Sequence, residues 1–245
     1  MKKLDELDLK KKKLMIFDMD GTLIDSIGIW NRTDQEAIKI YGGPFVDEKT
    51  IQKERDAFLI AHQDEDLYRT YGEMLIKKYG LNCTGDEFLG KRWQLSCKML
   101  EEEIGFKDGA ASVVKRLKEL GYLLALATTT TRVQLEVYGK KNKKMTAEMK
   151  IFDVFDFIAS KEDVSRKKPD PEIYELLLDH FDLKPEDCLV FEDSLGGILA
   201  AKAAGIETVS VYDRYSDHDR KRINELSDYA ISSFCEFMKL LEQGV

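Results

Sequence analysis

Short apolar runs and longer amphipathic stretches alternate along most of the chain. The apolar runs have the length of buried strands, whereas the amphipathic stretches repeat apolar residues every three or four positions, as helices do. The first run, Leu14–Phe17, is apolar throughout, which is typical of a parallel strand that is covered on both faces. The pattern predicts five further strands, at Tyr122–Thr128, Phe155–Ala159, Cys188–Glu192, Thr208–Val211 and Tyr229–Ile231.

Helices are predicted before and between these later strands, at Asp108–Leu120, Pro171–Phe181, Leu195–Ala204 and Asp217–Leu226. Strands that alternate with helices along a chain form a parallel sheet with helices on both of its faces. The predicted fold class is therefore α/β, with a Rossmann-like parallel sheet as its core.

The stretch that follows the first strand differs, because its pattern is helical throughout and contains no convincing strand. Helices are predicted at Glu48–His62, Asp66–Tyr79 and Asp86–Glu101. We therefore predict an inserted all-helical cap domain over residues 30–103. The α/β core would then be discontinuous and would consist of residues 14–29 and 104–245.

The composition of the 245-residue chain narrows the classes of protein it can represent. Hydrophobic residues make up 43% of the chain, enough for a substantial core, which argues against disorder. The 38 basic and 46 acidic residues give a net charge of −8, which disfavours binding to a nucleic-acid backbone. No segment resembles a membrane span or a secretory signal, and the four cysteines form no CxxC pair. We expect a cytoplasmic monomer with no nucleic-acid or membrane partner.

Two pairs of carboxylates follow two of the predicted strands. Asp18 and Asp20 come directly after the first strand, where the alternation of side chains lets both point the same way. Glu192 and Asp193 stand at the end of a later strand. Ligands of parallel sheets bind at the carboxyl ends of the strands, so neighbouring strands would bring these acids into one pocket. Oxygen ligands without a nearby histidine or cysteine favour Mg²⁺ over zinc.

Two further polar residues, Thr128 and Lys168, could contribute to the same pocket. Thr128 ends the second predicted strand, and Lys168 lies in the sequence KKPDP before a predicted helix. A hydroxyl and an ammonium group can each hold the oxygens of a phosphoryl group. Taken singly, each residue also has an ordinary explanation, because threonine favours strands and Lys-Pro pairs are common.

The chain resembles the haloacid dehalogenase (HAD) superfamily, because its motifs stand in the order of the four motifs of that superfamily. They are DMDGT at residues 18–22, Thr128, Lys168 with its proline, and Glu192-Asp193. The spacing and the helical insertion are similar to the β-phosphoglucomutase/phosphatase branch of that superfamily. The resemblance covers nearly all of residues 14–233, although the predicted cap matches only in its helical pattern.

The resemblance implies a HAD-like fold and phosphoryl-transfer chemistry. Asp18 would be the nucleophile that forms an aspartyl-phosphate, and Asp20 would act as general acid and then as general base. Thr128 and Lys168 would hold the transferring phosphoryl group. Mg²⁺ would be bound by Asp18, the main-chain oxygen of Asp20, Glu192 and Asp193.

The activity that the resemblance implies is a Mg²⁺-dependent phosphatase of a small phosphorylated metabolite, such as a sugar phosphate. A phosphomutase of the β-phosphoglucomutase kind is one alternative. The histidine that follows the first motif in that mutase is replaced by Trp30, which weakens this alternative. Trp30 is expected either to pack the hinge to the cap or to line the substrate pocket. A non-catalytic binding or regulatory protein with the same fold is the other alternative.

The segment between Thr128 and Lys168 is longer than is usual in the branch. Its charged part, residues 139–150, is predicted to be an insertion, with its lysines on a solvated loop or helix end.

The side chains of the predicted cap indicate little about the substrate. Five basic residues could meet an anionic substrate, although solvated surface is favoured for each: Lys53, Arg55, Arg69, Lys91 and Arg92. Large apolar residues of the cap are predicted to form its own core: Phe58, Tyr68, Tyr71, Met74 and Trp93.

Overall fold

The computed structural model describes residues 2–62 and 66–243. The chain divides into two compact units, one formed by Met1–Asp25 with Gly105–Val245 and the other by Ser26–Ile104. Residues 63–65, which fall in the predicted cap, and residues 244–245, which fall in the predicted core, lie outside the described residues.

The first unit is built on a six-stranded parallel sheet with the spatial order β3-β2-β1-β4-β5-β6. The strands are β1 (Leu14–Phe17), β2 (Leu123–Ala127), β3 (Phe157–Ala159), β4 (Cys188–Glu192), β5 (Glu207–Val211) and β6 (Tyr229–Ile231). The sheet confirms the predicted α/β fold class, and each predicted strand is present with ends that differ by at most about two residues.

The helices of this unit include several that the sequence pattern did not predict. They span Ala110–Glu119, Arg132–Glu136, Lys143–Glu148, Ile151–Val154, Glu172–Phe181, Leu195–Ala203, Arg220–Leu226 and Phe234–Glu242. A π-helical turn covers Val137–Lys141, and 3₁₀ turns cover Leu4–Glu6, Leu9–Lys11, Lys161–Asp163, Pro185–Asp187 and Arg214–Asp219. Within the described residues, no helix has both the length and the apolar character that crossing a membrane requires.

The sheet is rigidly placed because its central strands are covered on both faces. Every residue of β1 and β4 is buried. On one face Phe17 stacks on Phe191 with ring centroids 4.6 Å apart. On the other face Ile16 and Val190 share a core with Tyr174 of the helix Glu172–Phe181. Because both faces are packed, the carboxyl ends of β1 and β4 have a fixed geometry.

In the described residues of the second unit, the regular secondary structure is helical throughout. Its helices are Ile27–Ile40, Glu48–Ala61, Leu67–Tyr79 and Gly85–Glu102. Of the residues predicted for its core, Tyr71 is buried, and Phe58 and Met74 pack against the same cluster. Tyr68 is half-buried, whereas the prediction was wrong for Trp93, whose side chain is 40% exposed. That this unit acts as a cap remains a prediction.

A buried charge network in the helical unit corrects the prediction of solvated surface for two arginines. Arg55 and Arg92 are both buried around Asp34, which has no exposed surface. Nε of Arg92 donates to Oδ1 of Asp34 at 2.5 Å, and Nη1 of Arg55 lies 3.5 Å from Oδ2. The hydroxyl of Tyr71 donates to the same carboxylate at 3.1 Å. A buried carboxylate requires such partners, which explains why these arginines leave the surface.

Candidate active site

The ends of β1 and β4 bring three carboxylates together. These strands are adjacent and parallel, with Phe17 in register with Phe191, so the residues that follow them lie side by side. The main-chain amide of Asp18 donates to the carbonyl of Phe191 at 3.0 Å. Carboxylate oxygens of Asp18, Glu192 and Asp193 lie within 4.8 Å of one another, and all three residues are buried. Carboxylate oxygens grouped in this way are the ligands that a hard divalent cation prefers.

Lys168 partly offsets the charge of this cluster. Its Nζ lies 2.7 Å from Oδ1 of Asp18 and 2.6 Å from Oε1 of Glu192. It also donates to the carbonyl of Ala127, the last residue of β2, at 2.8 Å. Burial lowers the pKa of Lys168, but Asp18 and Glu192 outweigh burial and hold that pKa well above its ordinary value. A permanently charged lysine therefore stands between two of the three carboxylates.

The pKa values of two of these three carboxyl groups, Asp18 and Asp193, are raised. Burial, opposed by Lys168 and reinforced by Glu192, raises the pKa of Asp18. Burial also raises the pKa of Asp193 well above its usual range, and the charges of Glu192 and Asp213 raise it further. A buried acid whose charge is uncompensated takes up a proton or binds a cation.

Asp193 is held in place by the DMDGT segment. The hydroxyl of Thr22 donates to Oδ1 of Asp193 at 2.7 Å, and the hydroxyl of Ser216 lies 3.4 Å from Oδ2. Gly21 has a φ of +88°, and a Cβ at this position would lie 2.5 Å from Oδ2 of Asp193. The backbone conformation and the close approach therefore both require glycine at this position.

The four consecutive threonines after β2 have different contacts. The amide of Thr128 donates to the carbonyl of Ala159 at 3.0 Å, which extends the pairing of β2 with β3 by one residue. The hydroxyl oxygen of Thr128 accepts from the amide of Thr130 at 3.1 Å. Thr131 caps the next helix by accepting from the amide of Gln134. Thr128 is thus the member of the run that lies directly at the end of the strand.

Asp20 is contacted by two residues that sequence analysis did not single out. The hydroxyl of Thr130 donates to Oδ2 of Asp20, and the hydroxyl of Tyr138 donates to Oδ1 at 2.9 Å. Thr130 could have been considered from the sequence, because it belongs to the run of four threonines that follows β2. No pattern pointed to Tyr138, which stands 118 positions from Asp20 in the sequence.

A family model for haloacid dehalogenase-like hydrolases matches residues 15–211. The chain therefore belongs to this family, which confirms the resemblance on which the sequence analysis depended. It is an enzyme of the phosphomonoester hydrolase class within that family.

Individual relatives agree with this assignment. The chain is 30% identical over 214 residues to protein CbbY of Cereibacter sphaeroides, covering 84% of this chain and 86% of that protein. It is 30% identical over 231 residues to a phosphorylated carbohydrates phosphatase of Thermotoga maritima, covering 94% of this chain and 98% of the relative. Among solved structures, a variant of Rhodobacter sphaeroides CbbY in complex with xylulose 1,5-bisphosphate superposes with a TM-score of 0.70 at 26% identity, covering 92% of this chain and 96% of that chain.

Proposed function

We propose that this hydrolase cleaves a small phosphorylated metabolite, such as a sugar phosphate, in a Mg²⁺-dependent reaction through an aspartyl-phosphate on Asp18. The observation that carries the proposal is the cluster of three buried carboxylates within 4.8 Å of one another, with one lysine in contact with two of them. The kinship with CbbY and with a phosphorylated carbohydrates phosphatase supports a phosphorylated carbohydrate as the substrate class.

The donor set of the site fits Mg²⁺. Asp18, Glu192 and Asp193 supply carboxylate oxygens, and we propose the main-chain oxygen of Asp20 as a further ligand. Three buried carboxylates and one ammonium group leave a surplus of negative charge that a divalent cation would balance. When bound, Mg²⁺ offsets the negative charge of the acids and of the phosphoryl oxygens.

In the proposed reaction Asp18 and Asp20 have separate roles. A carboxylate oxygen of Asp18 forms a bond to phosphorus while the ester P–O bond breaks, and Asp20 gives its proton to the leaving oxygen. Asp20, now a carboxylate, then takes a proton from water. The resulting hydroxide attacks phosphorus, phosphate leaves, and Asp18 is restored as a carboxylate while Asp20 holds the proton again.

Thr128 and Lys168 are proposed to steady the phosphoryl group during both steps. Phosphoryl transfer depends mainly on in-line positioning and on charge stabilisation, which a fixed hydroxyl and a fixed ammonium group provide. Lys168 is anchored by three partners, namely Asp18, Glu192 and the carbonyl of Ala127. Its position is therefore set before a substrate arrives.

The test is a panel of phosphomonoesters in Mg²⁺ that follows both released phosphate and rearranged sugar phosphate. We expect free phosphate, and we expect Asp18→Asn to abolish its release while the protein remains folded. Asp179→Asn is the matched control, because Asp179 lies exposed on the helix Glu172–Phe181. Isomerised sugar phosphate without free phosphate would instead indicate a mutase, and no turnover across the panel would favour a binding or regulatory role.

A further inference from the structure

Both oxygens of the Asp20 carboxyl group accept hydrogen bonds from hydroxyl groups. Thr130, 7% exposed, donates to Oδ2, and Tyr138, which has no exposed surface, donates to Oδ1 at 2.9 Å. A buried hydroxyl without a partner costs about 1–3 kcal/mol, so the contact with Asp20 stabilises the buried position of Tyr138. In return, the two hydroxyls fix the plane and the rotamer of the Asp20 carboxyl group.

Tyr138 is itself firmly positioned, by a π-helical turn at Val137–Lys141. The carbonyl of Val137 accepts from the amide of Asn142, five residues later, at 2.9 Å. Single π-helical turns are rare and are found frequently at functional sites. A Cβ at Gly139 would lie 2.7 Å from Ile151, so only glycine lets this turn pack so closely on the helix Ile151–Val154.

The segment 139–150 is anchored to the unit by buried side chains. Its lysines are exposed, as the sequence predicted, but Asn142 and Met145 are buried beneath them. The side chain of Asn142 accepts from the amide of Met145 at 2.9 Å and so begins the helix Lys143–Glu148 directly after the π-helical turn. The residues that follow Tyr138 are thus anchored by buried side chains and by the bond between the amide of Asn142 and the carbonyl of Val137.

We propose that Tyr138, together with Thr130, is a positioning residue that orients Asp20 for its two proton transfers. The inference rests on the proposed function, in which Asp20 protonates the leaving oxygen and later takes a proton from water. A carboxylate has about four acceptor sites, so one hydroxyl on each oxygen leaves a site on each for the transferred proton. Proton transfer requires hydrogen-bond distance, and a misplacement of about 1 Å can cost about 100-fold in rate.

The test compares two kinds of leaving group. An alkyl alkoxide needs a proton to leave, whereas p-nitrophenolate leaves without one, and kcat/KM reports the step in which the ester bond breaks. For Tyr138→Phe we expect kcat/KM to fall about 10- to 100-fold with glucose 6-phosphate and ribose 5-phosphate. With p-nitrophenyl phosphate it should change by no more than about threefold, because proton donation to the leaving group is not required.

Tyr122→Phe is the matched control. Tyr122 is also a buried tyrosine whose hydroxyl donates one hydrogen bond, to the carbonyl of Leu9 at 3.1 Å, and it precedes β2 at the opposite end of that strand from Thr128. Both variants lose one buried hydrogen bond, so a fall in the thermal unfolding midpoint is expected for both. Of these two variants, only Tyr138→Phe should lower kcat/KM more for the alkyl esters than for the aryl ester.

Two further comparisons separate positioning from general loss of structure. In an Asp20→Asn background, Tyr138→Phe should have no additional effect on alkyl esters, because it acts through Asp20. Thr130→Val should reproduce the dependence on the leaving group, and Thr130→Ser, which keeps the hydroxyl, should restore the activity. The Thr130 pair carries the same test if Tyr138→Phe does not fold.

The outcomes separate this inference from the proposed function. An equal loss on alkyl and aryl esters, or a full additional loss in the Asp20→Asn background, would overturn the role of Tyr138 and leave the phosphatase assignment intact. Wild-type protein that releases phosphate from none of these esters in Mg²⁺ would overturn the proposed function, and this inference with it.

Discussion

Asp193→Asn should make the metal-free protein more stable and the Mg²⁺-bound protein less stable than the wild type. Oxygens of Asp193 lie within 4.8 Å of those of Asp18 and Glu192, and at an effective dielectric constant of 20 each such pair repels by about 3.5 kcal/mol or more. The actual penalty is smaller, because a carboxyl group with a raised pKa can take up a proton instead. We expect the near-isosteric amide to raise the free energy of unfolding in EDTA by about 2 kcal/mol at pH 8.

The sign of the pH dependence follows from the raised pKa of Asp193. Between the ordinary carboxyl range and that raised value, the folded protein binds more protons than the unfolded chain. The stability of the metal-free wild type therefore falls as the pH rises through this window. The advantage of Asp193→Asn should be close to zero below about pH 3, where the carboxyl group is protonated in both the folded and the unfolded protein, and should grow as the pH rises.

Mg²⁺ should reverse the order of the two proteins. At a thousand times its dissociation constant, a ligand that binds only the folded state adds about 4 kcal/mol, more than the advantage of the variant. Urea unfolding with EDTA and with Mg²⁺ measures both values. The control is Asp228→Asn, since Asp228 lies 2.9 Å from Lys202 and should lose stability equally with and without metal. An Asp193→Asn protein that is less stable than the wild type in EDTA at pH 8 would refute the electrostatic argument.

Three further predictions concern the metal, the DMDGT turn and the helical unit. Activity lost in EDTA should return with Mg²⁺ and only poorly with Ca²⁺, which accepts looser geometry and more ligands; equal rates with both ions in a phosphate-release assay would contradict this. Gly21→Ala should lower kcat and weaken Mg²⁺ stabilisation in a thermal-shift titration, because its Cβ would displace Asp193; an unchanged titration would argue against the close approach. Asp34→Asn should cost about 3–5 kcal/mol in urea unfolding, since it leaves Arg55 and Arg92 buried without their carboxylate, and a cost below about 1 kcal/mol would show that these charges are solvated.

The sequence was sufficient to predict the sheet because local pattern and buried packing agree there. Residues 14–17 and 188–191 are continuous apolar runs, and both lie in strands at the predicted positions. The ends of helices were harder to predict. The helix predicted from Asp217 begins at Arg220, because Arg214–Asp219 forms a 3₁₀ turn that Asp213 caps by accepting from the amide of Tyr215.

Contacts that depend on distant parts of the chain could not be read from the pattern. Arg55 and Arg92 stand four residues after the buried Ile51 and Phe88, so each lies on the inward face of its helix. Their partner Asp34 lies on a third helix, so the pairing depends on how the helices pack against one another. Tyr138 is similar, because its approach to Asp20 depends on the π-helical turn and on the packing of Gly139. Neither arrangement has a local sequence signature.

The central claim is that Asp18 becomes phosphorylated, and trapping that intermediate tests it most directly. Enzyme quenched during turnover with Mg²⁺ and a sugar phosphate would be treated with borohydride, which reduces an aspartyl-phosphate to homoserine, and then digested for mass spectrometry. The account predicts homoserine at position 18, dependent on both substrate and Mg²⁺, and none in the Asp18→Asn protein. Homoserine at another aspartate, or continued release of phosphate by the Asp18→Asn protein, would contradict it.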